Sequence, residues 1–259
     1  MVHGDLKGKT VFITGASSGF GRACAEKMAK AGCRLILCAR RVDMLNTVTL
    51  DLKQRFHTHI YSGKLDVRDR ESVEYWFGNL PDEWKKIDIL INNAGLALGF
   101  EKIQEGNIDD WDTMIDTNVK GLLYVTRHFL QLLTQDRQAH IINMGSIAGT
   151  QAYPNGAVYC ATKAAVRFIS DSIRMEVVDR PIRVTNIQPG FAETEFSLVR
   201  FHGDKNQAKN FYKGIKPLDA GDIADAVMYA VSAPENVQIS EITLMPVHQA
   251  SASVVYRKT

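Results

Sequence analysis

Apolar residues along the chain fall into short continuous runs, separated by longer stretches with helical spacing. The runs are TVFIT (10–14), RLILCA (34–39), HIYSGKLDV (59–67), IDILINNAG (87–95), HIINMGS (140–146), IRVTNIQPG (182–190) and ISEITLMP (239–246). Most are unbroken Val/Ile/Leu segments rather than in/out alternations, the pattern of strands buried on both faces. Between them, RACAEKMAKAG closes on Gly32, residues 42–56 read as a polar amphipathic helix, and RDRESVEYWFGNL is followed by Pro81. Residues 109–134 predict one long helix with Asp109 or Asp110 as its cap, and the third strand is expected to end at Asp66. VYCATKAAVRFISDSIRMEV and Ala220 to Ser232 predict two more helices. Residues 191–215 lack a strand pattern and predict a loop with one or two short helices; the last thirteen residues read as a polar tail.

Strand and helix alternate throughout, with no repeat and no Pro-, Gly- or Ser-rich linker. The expected architecture is α/β: one domain over residues 1–259, a doubly wound, seven-stranded parallel sheet of Rossmann type in the order 3-2-1-4-5-6-7. With 45% hydrophobic and 23% charged residues the composition is that of a globular protein. A net charge of +2 gives no support for a nucleic-acid or membrane partner. Cys24, Cys33, Cys38 and Cys160 form no CxxC and no metal-ligand spacing, so they read as small hydrophobes and no metal is expected. Neither a leader nor an apolar run of spanning length is visible, which makes the cytoplasm the default compartment.

The chemistry begins at the first turn. Gly15, Gly19 and Gly21 lie between strand 1 and helix 1, spaced GxxxGxG. Gly15 permits a tight exit from the strand, Gly19 a close backbone approach to a pyrophosphate, and Gly21 close helix–sheet packing. Ser17, Ser18 and Phe20 complete the turn; the hydroxyls and the free N–H groups of the helix start suit phosphates. Strand 2 ends in Arg40-Arg41 with no carboxylate before Asp43, so the expected cofactor is NADP, with Arg40 the first choice for the 2′-phosphate and Arg41 the second. Asp66-Val67 is placed to touch an adenine edge, although Asp66 is also positioned to cap the next helix. The turn Asn92-Asn93-Ala94-Gly95 falls at the carboxyl ends of the strands, where such folds bind ligands.

Tyr159 and Lys163 stand at i and i+4 on one predicted helix, hence on one face. A phenol is a poor base at its ordinary pKa of about 10, and a neighbouring ammonium favours the phenolate. The pair is therefore a candidate proton carrier for a substrate oxygen.

TGASSGFG, NNAG, Asn118, Ser146, YCATK and PGFAET together resemble the short-chain dehydrogenase/reductases over residues 8 to about 246. GSIAGTQAYPNGAVYCATK and ETEFSLVRFHGDKNQAKNFYKG are similar to the NADP-dependent 3-hydroxy acid dehydrogenases within that family. The resemblance implies that Tyr159 is the general acid/base and that Lys163 lowers its pKa and holds the nicotinamide ribose. It further implies that Ser146 binds the reacting oxygen, and that Asn118 bends its helix and holds a water leading to Lys163. Asn93, Ala94 and Gly95 would line the adenine-ribose and nicotinamide side; Pro189, Gly190, Ala192 and Thr194 would bind the nicotinamide. A homotetramer is implied too, and Leu122, Val125, Phe129, Val166, Phe168 and Ile169 would divide between the sheet and a subunit contact. A small 3-hydroxy acid needs a carboxylate partner: Arg200 is the candidate, an exposed loop arginine the alternative, and Gln151 and Tyr153 are expected to shape the pocket. The competing functions are a broad carbonyl reductase and a non-catalytic NADP-sensing scaffold.

Overall fold

A computed structural model describes residues 4–258. Seven parallel strands form one sheet in the order β3-β2-β1-β4-β5-β6-β7. They are β1 (Thr10–Thr14), β2 (Arg34–Ala39), β3 (Ile60–Lys64), β4 (Ile89–Asn92), β5 (Ala139–Met144), β6 (Ile182–Pro189) and β7 (Glu241–Leu244). The helices are α1 (Gly19–Lys30), α2 (Val42–Phe56), α3 (Arg70–Gly78), α4 (Ile108–Ile115), α5 (Leu122–Leu132), α6 (Ala157–Glu176), α7 (Phe196–Arg200), α8 (Lys205–Phe211) and α9 (Ala220–Val231).

The continuous apolar runs serve two cores. Val11 and Ile13 of β1 pack with α1, α2 and α9, while Phe12 faces the opposite layer of α3, α5 and α6. Alternate residues of one strand thus point to opposite, equally dry faces. Among the described residues, no helix is long and apolar enough to cross a membrane. The four cysteines are buried and unpaired with one another. Burial pushes the Cys24 and Cys33 thiols up to about 12, so they remain protonated packing groups.

Several boundaries differ from the sequence reading. Helix α1 starts three residues early, so Gly19 and Gly21 belong to its first turn. Strand β3 stops at Lys64 rather than Asp66. Asp69, not Asp66, caps α3, accepting from the N–H groups of Glu71 and Ser72. The helix expected over 109–134 is capped by Asn107 and interrupted by a π-helical segment, Asp116–Gly121, between α4 and α5. Such an interruption inserts a residue and turns side chains off the regular face.

Candidate active site

The site occupies the carboxyl ends of the strands, on both sides of the point where the order reverses between β1 and β4. On the β1–β2 side lies a crevice of about 270 Å³ lined by Gly15, Ser17, Ser18, Gly19 and Phe20, by Arg40 and Arg41, and by Asp66, Val67, Ala94, Gly95 and Thr194. Gly15 and Gly19 take left-handed φ values of 66° and 53°, which side chains rarely adopt. A Cβ on Gly21 would come within 2.5 Å of both the Asn93 amide nitrogen and the Gly15 carbonyl oxygen. Asn93 fills that space, donating to the carbonyls of Thr14 at 2.9 Å and Gly15 at 3.1 Å. It braces the glycine turn from below.

The side chain of Ser18, at the N-cap of α1, makes no cap hydrogen bond. The first-turn N–H groups are left for an external anion, with the helix dipole behind them. Arg41 is committed within the protein: Nη2 donates to Ser18 Oγ at 2.5 Å and to Glu195 at 2.9 Å. Arg40 forms no ion pair among the described residues and lines the crevice. Asp66 is held by Arg68 at 2.6 Å; burial opposes its ionisation, but the guanidinium keeps its carboxyl below the usual range. The buried Thr117 hydroxyl also lines this crevice without a hydrogen-bond partner among the described residues. A cradle of glycines, free helix-start donors, a free arginine and a spare hydroxyl fit a dinucleotide carrying an extra phosphate.

Helix α6 carries Tyr159 and Lys163 into the border between this crevice and a second cavity. Both residues are buried, and Lys163 Nζ lies 5.9 Å from the centre of the Tyr159 ring. The ammonium donates to Met144 O at 2.7 Å, and burial lowers its pKa to about 8. Ser146, just beyond β5, caps the short turn 147–149 by accepting from Ala148 N at 3.1 Å, and its hydroxyl donates to Pro189 O at 3.4 Å. Burial pushes Tyr159 above its ordinary value; the Tyr153 phenol adds to this, while Arg200 and Ser146 pull it down. The expected depression by Lys163 is not among the effects on the phenol: its ammonium is tied to Met144 O, and burial outweighs the groups that lower the Tyr159 pKa.

Asn118 lies within the π segment. Its carbonyl oxygen accepts from Leu96 N at 2.9 Å, and its amide donates to Leu96 O at 2.8 Å and Thr162 Oγ1 at 3.0 Å. The residue thereby ties the strand-4 turn to α6 at Leu96, the residue after Gly95. A Cβ on Gly95 would lie 3.2 Å from the Asn118 oxygen and 3.5 Å from Lys163 Nζ.

The second cavity, of about 460 Å³, contains Ser146, Tyr153, Tyr159, Pro189, Gly190, Ala192 and Arg200. It shares Phe20, Gly145, Tyr159 and Phe196 with the crevice, so the phenol stands at the boundary of the two spaces. Arg200 ends α7 and is only 4% exposed. Its Nη2 donates to the Tyr153 hydroxyl at 2.8 Å, and its guanidinium lies 4.9 Å from the Tyr159 ring centre. Phe100, Phe196 and Phe211 surround it at 5.5–5.8 Å. No carboxylate pairs with it among the described residues, and Nε has no partner. The reading of Arg200 as an exposed loop residue is therefore corrected.

Gln151, expected in the pocket, lies outside the cavity wall. It is exposed, and its side-chain oxygen accepts from Ala252 N at 2.9 Å. The tail, which the sequence left without a role, is what Gln151 holds. Gln249 is buried in that tail and accepts from Phe191 N at 2.7 Å. Ala252, Ser253, Val255 and Arg257 extend the cavity wall. Nothing in the local pattern after Val247 predicts this; the contacts join residues up to 101 positions apart.

A family model described as short chain dehydrogenase matches residues 9–204. An NADP-dependent 3-hydroxy acid dehydrogenase of Schizosaccharomyces pombe is 45% identical over 254 residues, 98% of each chain. A serine 3-dehydrogenase of Rhizobium radiobacter is 41% identical over 96% of this chain and 99% of its own. Among solved structures, the closed form of a serine dehydrogenase complexed with NADP+ superposes with a TM-score of 0.89 at 41% identity, covering 96% of this chain and 100% of that one.

Proposed function

The chain belongs to the short chain dehydrogenase family, and from that premise we propose that it transfers a hydride between NADP and C3 of a 3-hydroxy acid. The observation that carries the substrate class is Arg200: a buried guanidinium without a carboxylate partner, beside the Tyr159 phenol. An uncompensated buried charge is costly, and a substrate carboxylate is the group that offsets it.

Bound in the crevice, the dinucleotide supplies the hydride donor or acceptor. The side chains do the rest. The first turn of α1 and Arg40 hold phosphates, and Thr194 faces the same crevice. Arg200 fixes the carboxylate end of the substrate, which sets the C3 oxygen at Ser146 and Tyr159. In reduction, Tyr159 Oη gives its proton to the developing alkoxide while Ser146 donates a second hydrogen bond. In oxidation, Tyr159 takes that proton back, and the Arg200 and Ser146 interactions help to stabilise the phenolate. Lys163, anchored at Met144 O, keeps positive charge beneath the nicotinamide-ribose position. Asn118 holds the strand-4 turn against α6 and so fixes the distance between the two halves of the site.

Support for NADP over NAD comes from the free Arg40 and from relatives named for NADP. The polar tail and loop 191–215 wall off the substrate cavity, and α5 and α6 leave Leu123, Phe168 and Met175 exposed for subunit pairing in a homotetramer.

The test is Arg200→Met. With NADP, KM for a 3-hydroxy acid is expected to rise about 10- to 100-fold while a neutral alcohol changes little. An equal effect on both, or none on the acid, would leave the carbonyl reductase reading in its place.

A further inference from the structure

The loop between the Ser146 turn and α6 brings a second phenol to the substrate cavity. The chain turns at Pro154-Asn155, where Asn155 takes a left-handed φ of 65° that asparagine tolerates. Tyr153 thereby lies over Gly156, where a Cβ would overlap its ring. The ring stacks on Phe100 with centroids 6.3 Å apart, and the residue lines the cavity with Ser146, Tyr159 and Arg200. Its hydroxyl accepts from Arg200 Nη2 at 2.8 Å. A phenol can accept and donate at once, and this O–H donates to no group among the described residues. Arg200 Nε is likewise without a partner. One hydrogen-bonded pair thus keeps two unused donors, the first cationic and the second polarised by the cation.

We propose that Tyr153 is a substrate-contacting residue that works as a unit with Arg200: its oxygen aligns the guanidinium, and its proton is donated to the substrate group that Arg200 binds. This rests on the reading of Arg200 as the carboxylate partner. Phe100, Phe196 and Phe211 surround the guanidinium, but ring faces attract charge without fixing the direction of an N–H. The hydrogen bond to Tyr153 fixes that direction. A carboxylate has two oxygens and accepts several hydrogen bonds, so one anion can take both free donors. Two donors on one anion set the rotation of the substrate as well as its position. Rotation decides whether the reacting oxygen meets Tyr159, whose ring centre lies 4.9 Å from the same guanidinium; that of Tyr153 lies at 5.9 Å. Burial raises the Tyr153 pKa although Arg200 opposes it, so the phenol keeps the proton that a donor needs.

The experiment is Tyr153→Phe, which removes the hydroxyl and leaves the ring on Phe100. Wild type, Tyr153→Phe, Arg200→Met and the double variant are assayed with NADP on 3-hydroxypropionate and on its methyl ester, which lacks the charge. In Tyr153→Phe, kcat/KM for the acid is expected to fall about 10- to 100-fold, mostly through KM, and for the ester by less than about threefold. NADP affinity and Tm should stay at wild-type values. The double variant should lose well under the product of the two single losses, because the residues act as a unit. Suppose Arg200→Met separates acid from ester, but Tyr153→Phe affects both equally or spares the acid. The role of Tyr153 is then overturned, and the Arg200 reading stands. Single losses that simply multiply in the double variant overturn the joint action. If Arg200→Met itself fails to separate acid from ester, the Arg200 reading falls and takes this inference with it.

Discussion

The ammonium of Lys163 is anchored on the carbonyl oxygen of Met144 at 2.7 Å, so the cation is fixed to the tip of β5 rather than to the phenol one turn away. Its low-dielectric seat brings its pKa down to about 8, which places loss of its charge inside the working pH range.

The sign of the pH effect follows. Below about 8 Lys163 is charged and above it neutral, while Tyr159, raised by burial, stays protonated throughout neutral pH. Reductive kcat/KM is therefore expected to fall as pH rises past about 8, where Lys163 loses its charge while Tyr159 still carries its proton. In Lys163→Met the reductive curve should lose its inflection near 8 and run at a lower plateau. Initial rates across pH 6–10 check this.

Under the proposed function Arg40, which forms no ion pair among the described residues, holds the 2′-phosphate. Arg40→Ala is expected to lower the NADPH-to-NADH ratio of kcat/KM by about 10- to 100-fold, the worth of a charge-assisted phosphate contact. Arg41→Ala should do less, since Glu195 and Ser18 already share that guanidinium. Turnover measured with both reduced nucleotides decides the order.

Gly21 tests the packing under the nucleotide turn. A methyl at this position meets the Asn93 amide and the Gly15 carbonyl at 2.5 Å, neither the free end of a flexible chain. Gly21→Ala is expected to cost about 1–3 kcal/mol of stability and to weaken dinucleotide binding. A shift in the urea midpoint at unchanged slope, with nucleotide titration by fluorescence, reads both.

His140 lies at the opposite end of the sheet from the chemistry. Its Nε2 meets Thr185 Oγ1 at 2.8 Å, and that hydroxyl already donates to Ile239 O. Nε2 must then carry the proton, leaving Nδ1 as an unpartnered acceptor. Burial, with Arg183 adding to it, lowers its pKa well below 6.5. Below the unfolded value of about 6.5 the unfolded chain binds a proton that the folded one refuses, so stability is present above that pH and lost as pH falls, by up to about 1.4 kcal/mol per unit. Urea midpoints at pH 7 and 5.5 should diverge less in His140→Gln.

Sheet order and the ends of β1, β2 and α2 were legible because apolar runs and their breakers are local signals. The glycine turn, Tyr159 and Lys163 could be placed for the same reason. What escaped was set by distant contacts. Asp109 and Asp110 looked like caps, but Asn107 starts the helix. A bend at Asn118 was expected from the resemblance, but not its π-helical form, in which Asn118 bonds the backbone of Leu96, 22 residues away. The buried state of Arg200 needs five aromatic rings from four parts of the chain.

The interruption at Asp116–Gly121 also sets how the chain answers to a shortened sequence. Each helical residue advances the spiral by about 100°, so removing one residue here would let α4 and α5 fuse into an uninterrupted rod. Regular geometry would be regained and Asn118 swung off the Leu96 backbone. Circular dichroism would record a more helical protein, and the assay a dead one.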